Sequence, residues 1–175
     1  MEIRQQNVVI QKWDYSCGAA SLATLLKYQH DDHVTERMVA EAMLKRTDPL
    51  KVKVRGGFSL LDLKRYVESR GLKGKGYLDM DLNGLIEVAP AIVPVNLGDY
   101  NHFVVFRGVM DGQALLSDPA FGNRTVDIKV FDKSWVNRIG FIVTRADGTN
   151  PPSRLTVLPS DFIEVPSMAV RQIIQ

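Results

Sequence analysis

Residues 11–26 read QKWDYSCGAASLATLL, and in them the only cysteine of the chain, Cys17, stands where an irregular segment turns into a helix. Trp13, Asp14, Tyr15 and Ser16 have no helical apolar period, whereas Ala19, Leu22, Ala23 and Leu26 recur at three- and four-residue spacing. That spacing predicts a helix with one buried face from about Cys17 to Tyr28. Cys17 then falls in the first turn, where unpaired N–H groups and the helix dipole favour an anion, so its thiol pKa is expected below the ordinary value. A thiolate so placed is a nucleophile that needs a base. A lone cysteine is more commonly a small buried residue. Here, however, Gly18 leaves the flank of the sulfur clear, and Gln11, six positions upstream, can return an amide N–H toward it.

Working outward, 175 residues are enough for one domain, and 45% apolar content is enough for a substantial core. A net charge of +2 makes no case for nucleic acid as a partner. A single cysteine excludes an internal disulfide and a thiolate-rich zinc site. The cluster Gln29-His30-Asp31-Asp32-His33 has ligand-type side chains but no further His or Cys nearby, so it reads as a solvated connector. No cofactor and no metal are expected. No apolar run reaches the roughly 18 residues a membrane span needs, and MEIRQQNVVIQ lacks the apolar core of a signal peptide.

The first 71 residues read as largely helical. Thr35 is a candidate N-cap with Glu36 in the first turn of a helix to about Leu44, striped by Met38, Val39, Ala42 and Met43. Residues 45–57, KRTDPLKVKVRGG, read as a basic connector, since Lys51, Lys53 and Arg55 have no aromatic partners for stacking. Ser59 and Asp62 form a capping-box pattern for a helix whose face is Leu60, Leu61, Leu63, Tyr66 and Val67, and Gly71 ends that helix. From Lys73 onward the texture changes to strands at 75–78, 91–97, 102–110, 113–118, 124–131 and 140–145, with short helices near 81–88 and 133–136. Asp111-Gly112 is the strongest hairpin signal. Helices first and antiparallel strands second predict an α+β domain.

His102 opens a strand directly after the turn-like Gly98-Asp99-Tyr100-Asn101, a place that suits a general base. Asp118 ends the strand that returns from Asp111-Gly112, so the two side chains are expected near one end of the ribbon. An acid there would set the tautomer of the histidine and stabilise its imidazolium. Asp111 is the rival acid, but it sits in the turn itself.

Cys17 at a helix start, followed by His102 and Asp118 on paired strands, is a papain-like order of elements. With Gln11, Cys17-Gly18-Ala19-Ala20, His102-Phe-Val-Val and Asp118-Pro119 followed by Gly122, the chain resembles the C39 cysteine peptidases over roughly residues 6–145. DYSCGAASLATLL, GGFSLLDLKRYVE, YNHFVVFRG and DPAFGNRT are similar to the C39-like peptidases of bacterial functional-amyloid secretion. The resemblance implies a papain-like fold, an N-terminal helical half packed on a C-terminal antiparallel sheet half. It also implies a Cys17-His102-Asp118 triad with Gln11 as oxyanion donor, cleaving a protein or peptide substrate such as a secreted amyloid or secretion-system component. The implied compartment is the periplasm, or the cytoplasm if the first residue is the native start. A peptide-binding module without turnover and a thiol acyl-transferase or amidase are the alternatives that use the same residues. The peptidase domain is expected to span 1–145. Beyond the linker ADGTNPPS, the apolar Leu155, Val157, Phe162, Ile163, Val165, Met168, Ala169, Ile173 and Ile174 predict an arm within 146–175 that docks on a protein surface, a homodimeric swap being one form of it.

Overall fold

In the computed structural model, which describes residues 3–98 and 101–162, the first helix, α1, spans Cys17–Gln29. Every residue from Gly18 to Leu26 is buried, as is Gln29, so α1 is a central helix and not the one-faced helix expected. Its composition explains this: only Ser21, Thr24 and Gln29 carry polar side chains among those positions, and an all-round apolar helix has to be covered on every side. Ser21 Oγ donates to the Phe103 carbonyl, and Thr24 Oγ1 donates to Ala20 O while accepting the Val9 N–H, so these hydroxyls are not left unsatisfied inside.

Helix α2, Glu36–Leu44, starts as expected, with Thr35 Oγ1 accepting the Met38 N–H. Val39 and Met43 enter the core, while Met38 stays exposed. The 45–57 stretch is not a plain connector. It contains α3, Pro49–Arg55, capped by the Asp48 side chain on the Leu50 N–H and stopped by Gly56 at φ +79°. Seven residues that bury only Val52 show no amphipathic period, which hides such a helix from a pattern reading. Helix α4, Leu60–Ser69, begins with both halves of the Ser59/Asp62 capping box formed.

Six strands follow: β1 Lys73–Tyr77, β2 Ala91–Val95, β3 His102–Met110, β4 Gln113–Asp118, β5 Gly122–Asp127 and β6 Gly140–Thr144. They make one antiparallel sheet in the order β1-β6-β2-β3-β4-β5. The strand expected over 124–131 ends at Asp127, whose carboxylate caps helix α6, Ile128–Ser134, by accepting the Lys129 N–H. Phe131 therefore points from a helix into the core, between Phe106 at 5.1 Å and Trp135 at 5.8 Å. Helix α5, Leu82–Val88, is capped by Asp81. One sheet face packs Ile92, Val105, Phe141 and Val143 on α1, α2 and α4. The other packs Val93, Val95, Val104, Phe106 and Leu116 with Leu85, Phe131 and Trp135, so helices cover both faces.

The chain beyond the last strand returns to the helical side. Leu155 is fully buried in the core formed by α1, α2 and α4. The Arg154 N–H donates to Tyr28 O at 2.9 Å, and its Nη2 donates to Lys27 O at 3.0 Å. This part of the expected arm packs on its own domain; Ile163, Val165, Met168, Ala169, Ile173 and Ile174 lie outside the described residues, as do Asp99 and Tyr100. Leu155→Ala should cost about 2–5 kcal/mol in urea unfolding, whereas Leu158→Ala, at an exposed position, should stay within about 0.5 kcal/mol. Truncation after Thr149 should lower the melting temperature further. An unchanged transition in the shortened chain would mean that the segment adds nothing to the fold.

Candidate active site

The β3–β4 hairpin turns through Asp111 at φ +51° and Gly112 at φ +73°, the paired positive angles of a primed turn. From it the ladder runs Met110↔Gln113, Val109↔Ala114 and Gly108↔Leu115. Continued without interruption, that register would set Asp118 opposite Val105, on the sheet face away from His102. A bulge between Phe106 and Gly108 shifts the pairing by one residue, to Phe106↔Leu116 and Val105↔Ser117. The next step sets Asp118 opposite Val104, on the face that His102 shares. His102 Nε2 and Asp118 Oδ2 are 3.1 Å apart, with the carboxylate fully buried.

Asp118 is held on both oxygens. Oδ1 accepts the Ala120 N–H at 2.8 Å, and Oδ2 also lies 3.5 Å from Arg124 Nη1. The Arg124 guanidinium in turn lies over the exposed Phe121 ring, 5.7 Å from its centroid. The rival Asp111 occupies the turn at the far end of the ribbon.

Cys17 and His102 line one cavity of about 200 Å³, together with Arg55, Gly56, Gly57, Phe58, Pro94, Asn101 and Phe103. The thiol does not behave as its helix-start position suggests. Burial pushes the Cys17 pKa above the ordinary thiol value. N–H groups of Phe103, Gly18 and Cys17 itself pull it down without cancelling burial, and the Asp118 charge adds to the rise. The expected lowering is thus reversed: desolvation of the sulfur outweighs the helix terminus.

Gln11 reaches the site through its backbone, its N–H donating to Pro119 O at 2.8 Å, next to Asp118. Its side-chain Nε2 donates to the Trp13 carbonyl at 3.3 Å. Two carboxylates that the sequence presents as ordinary first-turn helix residues hold the walls of the cleft. Glu36, almost wholly buried, accepts the Lys12 N–H on both oxygens, at 2.9 and 3.0 Å, and the Ser16 hydroxyl as well. It thereby ties down the segment ahead of Cys17, in which Tyr15 takes a left-handed φ of +65°. Asp62 accepts from Thr47 Oγ1, from the Ser59 N–H and hydroxyl, and from Arg55 Nη2, fixing the 55–59 wall. Burial raises the Asp62 pKa, but the Thr47 and Ser59 hydrogen bonds and the Arg55 charge outweigh it and hold the group below the usual carboxylate range.

A second, larger groove of about 580 Å³ adjoins the cavity at Phe58 and is walled by Trp13, Tyr15, Ala40, Leu44, Pro49 and Val52 among others. His30, in the cluster that resembles a ligand set, instead places Nε2 3.0 Å from the Val143 carbonyl, and Asp32 pairs with Arg70. Among the described residues, no group of three or more His, Cys, Asp or Glu is arranged to hold a metal ion, and no helix is long and apolar enough to cross a membrane.

The peptidase C39 family model matches residues 5–147. The chain is 40% identical over 143 residues to a Pseudomonas aeruginosa protein named "Probable functional amyloid protease FapD", a match covering 81% of this chain and 62% of that relative. Among solved structures it is similar to a double glycine motif protease from an AMS/PCAT transporter in complex with the leader peptide. There the identity is 29% and the TM-score 0.56, over 83% of this chain and 91% of the other. The peptidase domain of Streptococcus ComA shares the fold with a TM-score of 0.64 at 20% identity, over 79% of this chain and 97% of the other.

The direction of the thiol shift is open to measurement. Iodoacetamide should alkylate Cys17 in the folded protein with a pH midpoint above about 8.5, the value of a free thiol, and in urea with a midpoint near it. The raised pKa favours the neutral folded form. Its contribution to stability is therefore complete below the unfolded thiol pKa and is lost as pH rises through the folded one. A folded-state midpoint below the free-thiol value would overturn this.

Proposed function

The chain belongs to the peptidase C39 family, and on that premise we propose that it is a cysteine endopeptidase acting through Cys17, His102 and Asp118. The observation that carries the proposal is that Cys17 and His102 line one cavity while buried Asp118 hydrogen-bonds the ring from behind. Asp118 engages Nε2, which assigns the relay to the other ring nitrogen, Nδ1. Burial raises the thiol pKa, so the base acts during attack. Nδ1 takes the Sγ proton as sulfur bonds to the substrate carbonyl carbon, and the imidazolium is stabilised by the Asp118 charge.

The carbonyl oxygen gains the electron pair and is met by the Cys17 N–H and by an N–H of the Gln11 side chain, which has two such donors and gives one to Trp13. Collapse expels the amine, which takes the proton from His102. Water, deprotonated by the same ring, then releases the acyl group from sulfur.

The apolar groove beside Phe58 supports a peptide substrate, because it offers Trp13, Tyr15, Leu44 and Val52 to apolar side chains flanking the scissile bond. The relatives named above support a role in processing a secreted amyloid or a secretion-system component, which would act in the periplasm.

Incubation with candidate subunits and intact-mass analysis tests this reading. Wild type should yield two fragments whose masses sum to the substrate plus one water, and Cys17→Ala should yield none while melting as wild type does. Retained cleavage by Cys17→Ala would sink the thiol mechanism, and a mass gain without cleavage would identify acyl transfer. Gln11→Ala and Asp118→Asn should each lower kcat, by about ten- to a thousandfold for the oxyanion donor. If Gln11→Ala raises only KM, the side chain binds substrate and does not meet the oxyanion.

A further inference from the structure

The β3 bulge decides which face Asp118 takes, and the bulged residue is Arg107, a cation almost wholly withdrawn from solvent. A desolvated guanidinium persists only where its donors are taken up. Here Nε donates to Leu155 O at 3.0 Å, and Nη2 reaches Asp161 Oδ2 at 3.3 Å and Thr156 O at 3.4 Å. Asp161 is itself braced, its Oδ2 accepting the Leu158 N–H at 2.7 Å. Nη1 lies 3.5 Å from Asn123 Oδ1, which also accepts from the hydroxyl of Ser117, the residue before Asp118. Beside the bulge, Gly108 at φ +153° receives Val157, and a Cβ there would lie 2.7 Å from Val157 Cγ2. Every one of these strap contacts comes from residues 155–161, beyond the 5–147 covered by the family match.

We propose that Arg107 is a positioning residue, clamped by the 155–161 strap, which holds the one-residue bulge that brings Asp118 onto the face of His102. The strap thus does more than bury Leu155. It gives the bulged cation its carboxylate and carbonyl partners, and without them the ribbon loses what holds it out of the regular register set by the Asp111-Gly112 turn. In that regular register the acid and the imidazole belong to opposite faces. The catalytic consequence rests on the peptidase reading above, but the geometric one does not.

Arg107→Met removes the cation at similar volume, and Asp161→Asn removes the charge of its partner while keeping its shape. Each is compared with wild type well below its melting temperature. The chain has three histidines, so the ring resonances of His102 can be followed with His30 and His33 as internal references. In both variants the His102 ring signals should move while those of His30 and His33 stay. On a substrate that wild type cleaves, kcat should fall about ten- to a hundredfold with little change in KM, as expected of a misplaced catalytic group.

If Arg107→Met does not fold, Asp161→Asn carries the same readouts. Unmoved His102 signals with wild-type kcat, alongside a lower melting temperature, would make the clamp structural only and overturn the proposal. Should wild type cleave no substrate, the peptidase reading fails, and the ring signals still decide whether Arg107 positions His102.

Discussion

Because α1 has no solvent face, its position is determined from all sides, and the site inherits that position. Gly18 lies where a Cβ would be 3.4 Å from both Leu63 of α4 and Phe103 of β3, so the first turn of α1 is seated against the strand that begins at His102. The Ser21 hydroxyl on the Phe103 carbonyl fixes the same contact with a polar bond. A helix packed on one side could slide or roll by part of a turn. One enclosed by α2, α4 and the sheet at interior packing density cannot, and the sulfur is held with it.

The same enclosure explains the chemistry of Cys17. A helix N-terminus favours an anion, but this sulfur is half-buried, and the hydration its thiolate loses outweighs that gain. The thiol pKa is therefore raised, and in the proposed mechanism its activation depends on a base close at hand. In the proposed mechanism His102 is that base, held by a carboxylate that is itself shared with Arg124 and the Ala120 N–H. The charge on Asp118 is divided between the ring and the guanidinium, which keeps a fully buried acid paired from two directions.

The walls of the cleft follow one design. Each is a short irregular segment whose backbone would otherwise have unmade hydrogen bonds, and each is clasped by a carboxylate from the first turn of a helix. Glu36 of α2 holds 12–16, and Asp62 of α4 holds 55–59. Multiple donors to one buried carboxylate make such clasps rigid, and losing any partner leaves a desolvated charge or amide behind. The strap is a third clasp with the polarity reversed, a buried cation on the sheet gripped by carbonyls and an acid from the end of the domain.

Much of this was legible in the residues themselves. The Thr35 cap and the Ser59/Asp62 box are local, each set by a side chain within a few positions of the backbone it satisfies, and the Asp111-Gly112 hairpin is set by two adjacent residues at positive φ; the helix start at Cys17 is local too, though Ser16 gives it no side-chain cap. The pairing of His102 with Asp118 could be anticipated from their distance to the turn, though not the face each side chain would take. That depended on a bulge whose cause, Arg107 with its partners in 155–161, lies some fifty residues away along the chain. Helix α3 and the end of β5 were hidden because seven-residue helices carry too little period to be read. The sign of the thiol shift departs from the sequence expectation for a related reason. The helix terminus is a property of sequence, whereas burial is conferred by every element that packs around it. Local hydrogen-bond chemistry, then, was written in the sequence. Which face, which register and how much water reaches the sulfur were decided by contacts between distant segments, because only folding brings those groups within bonding distance.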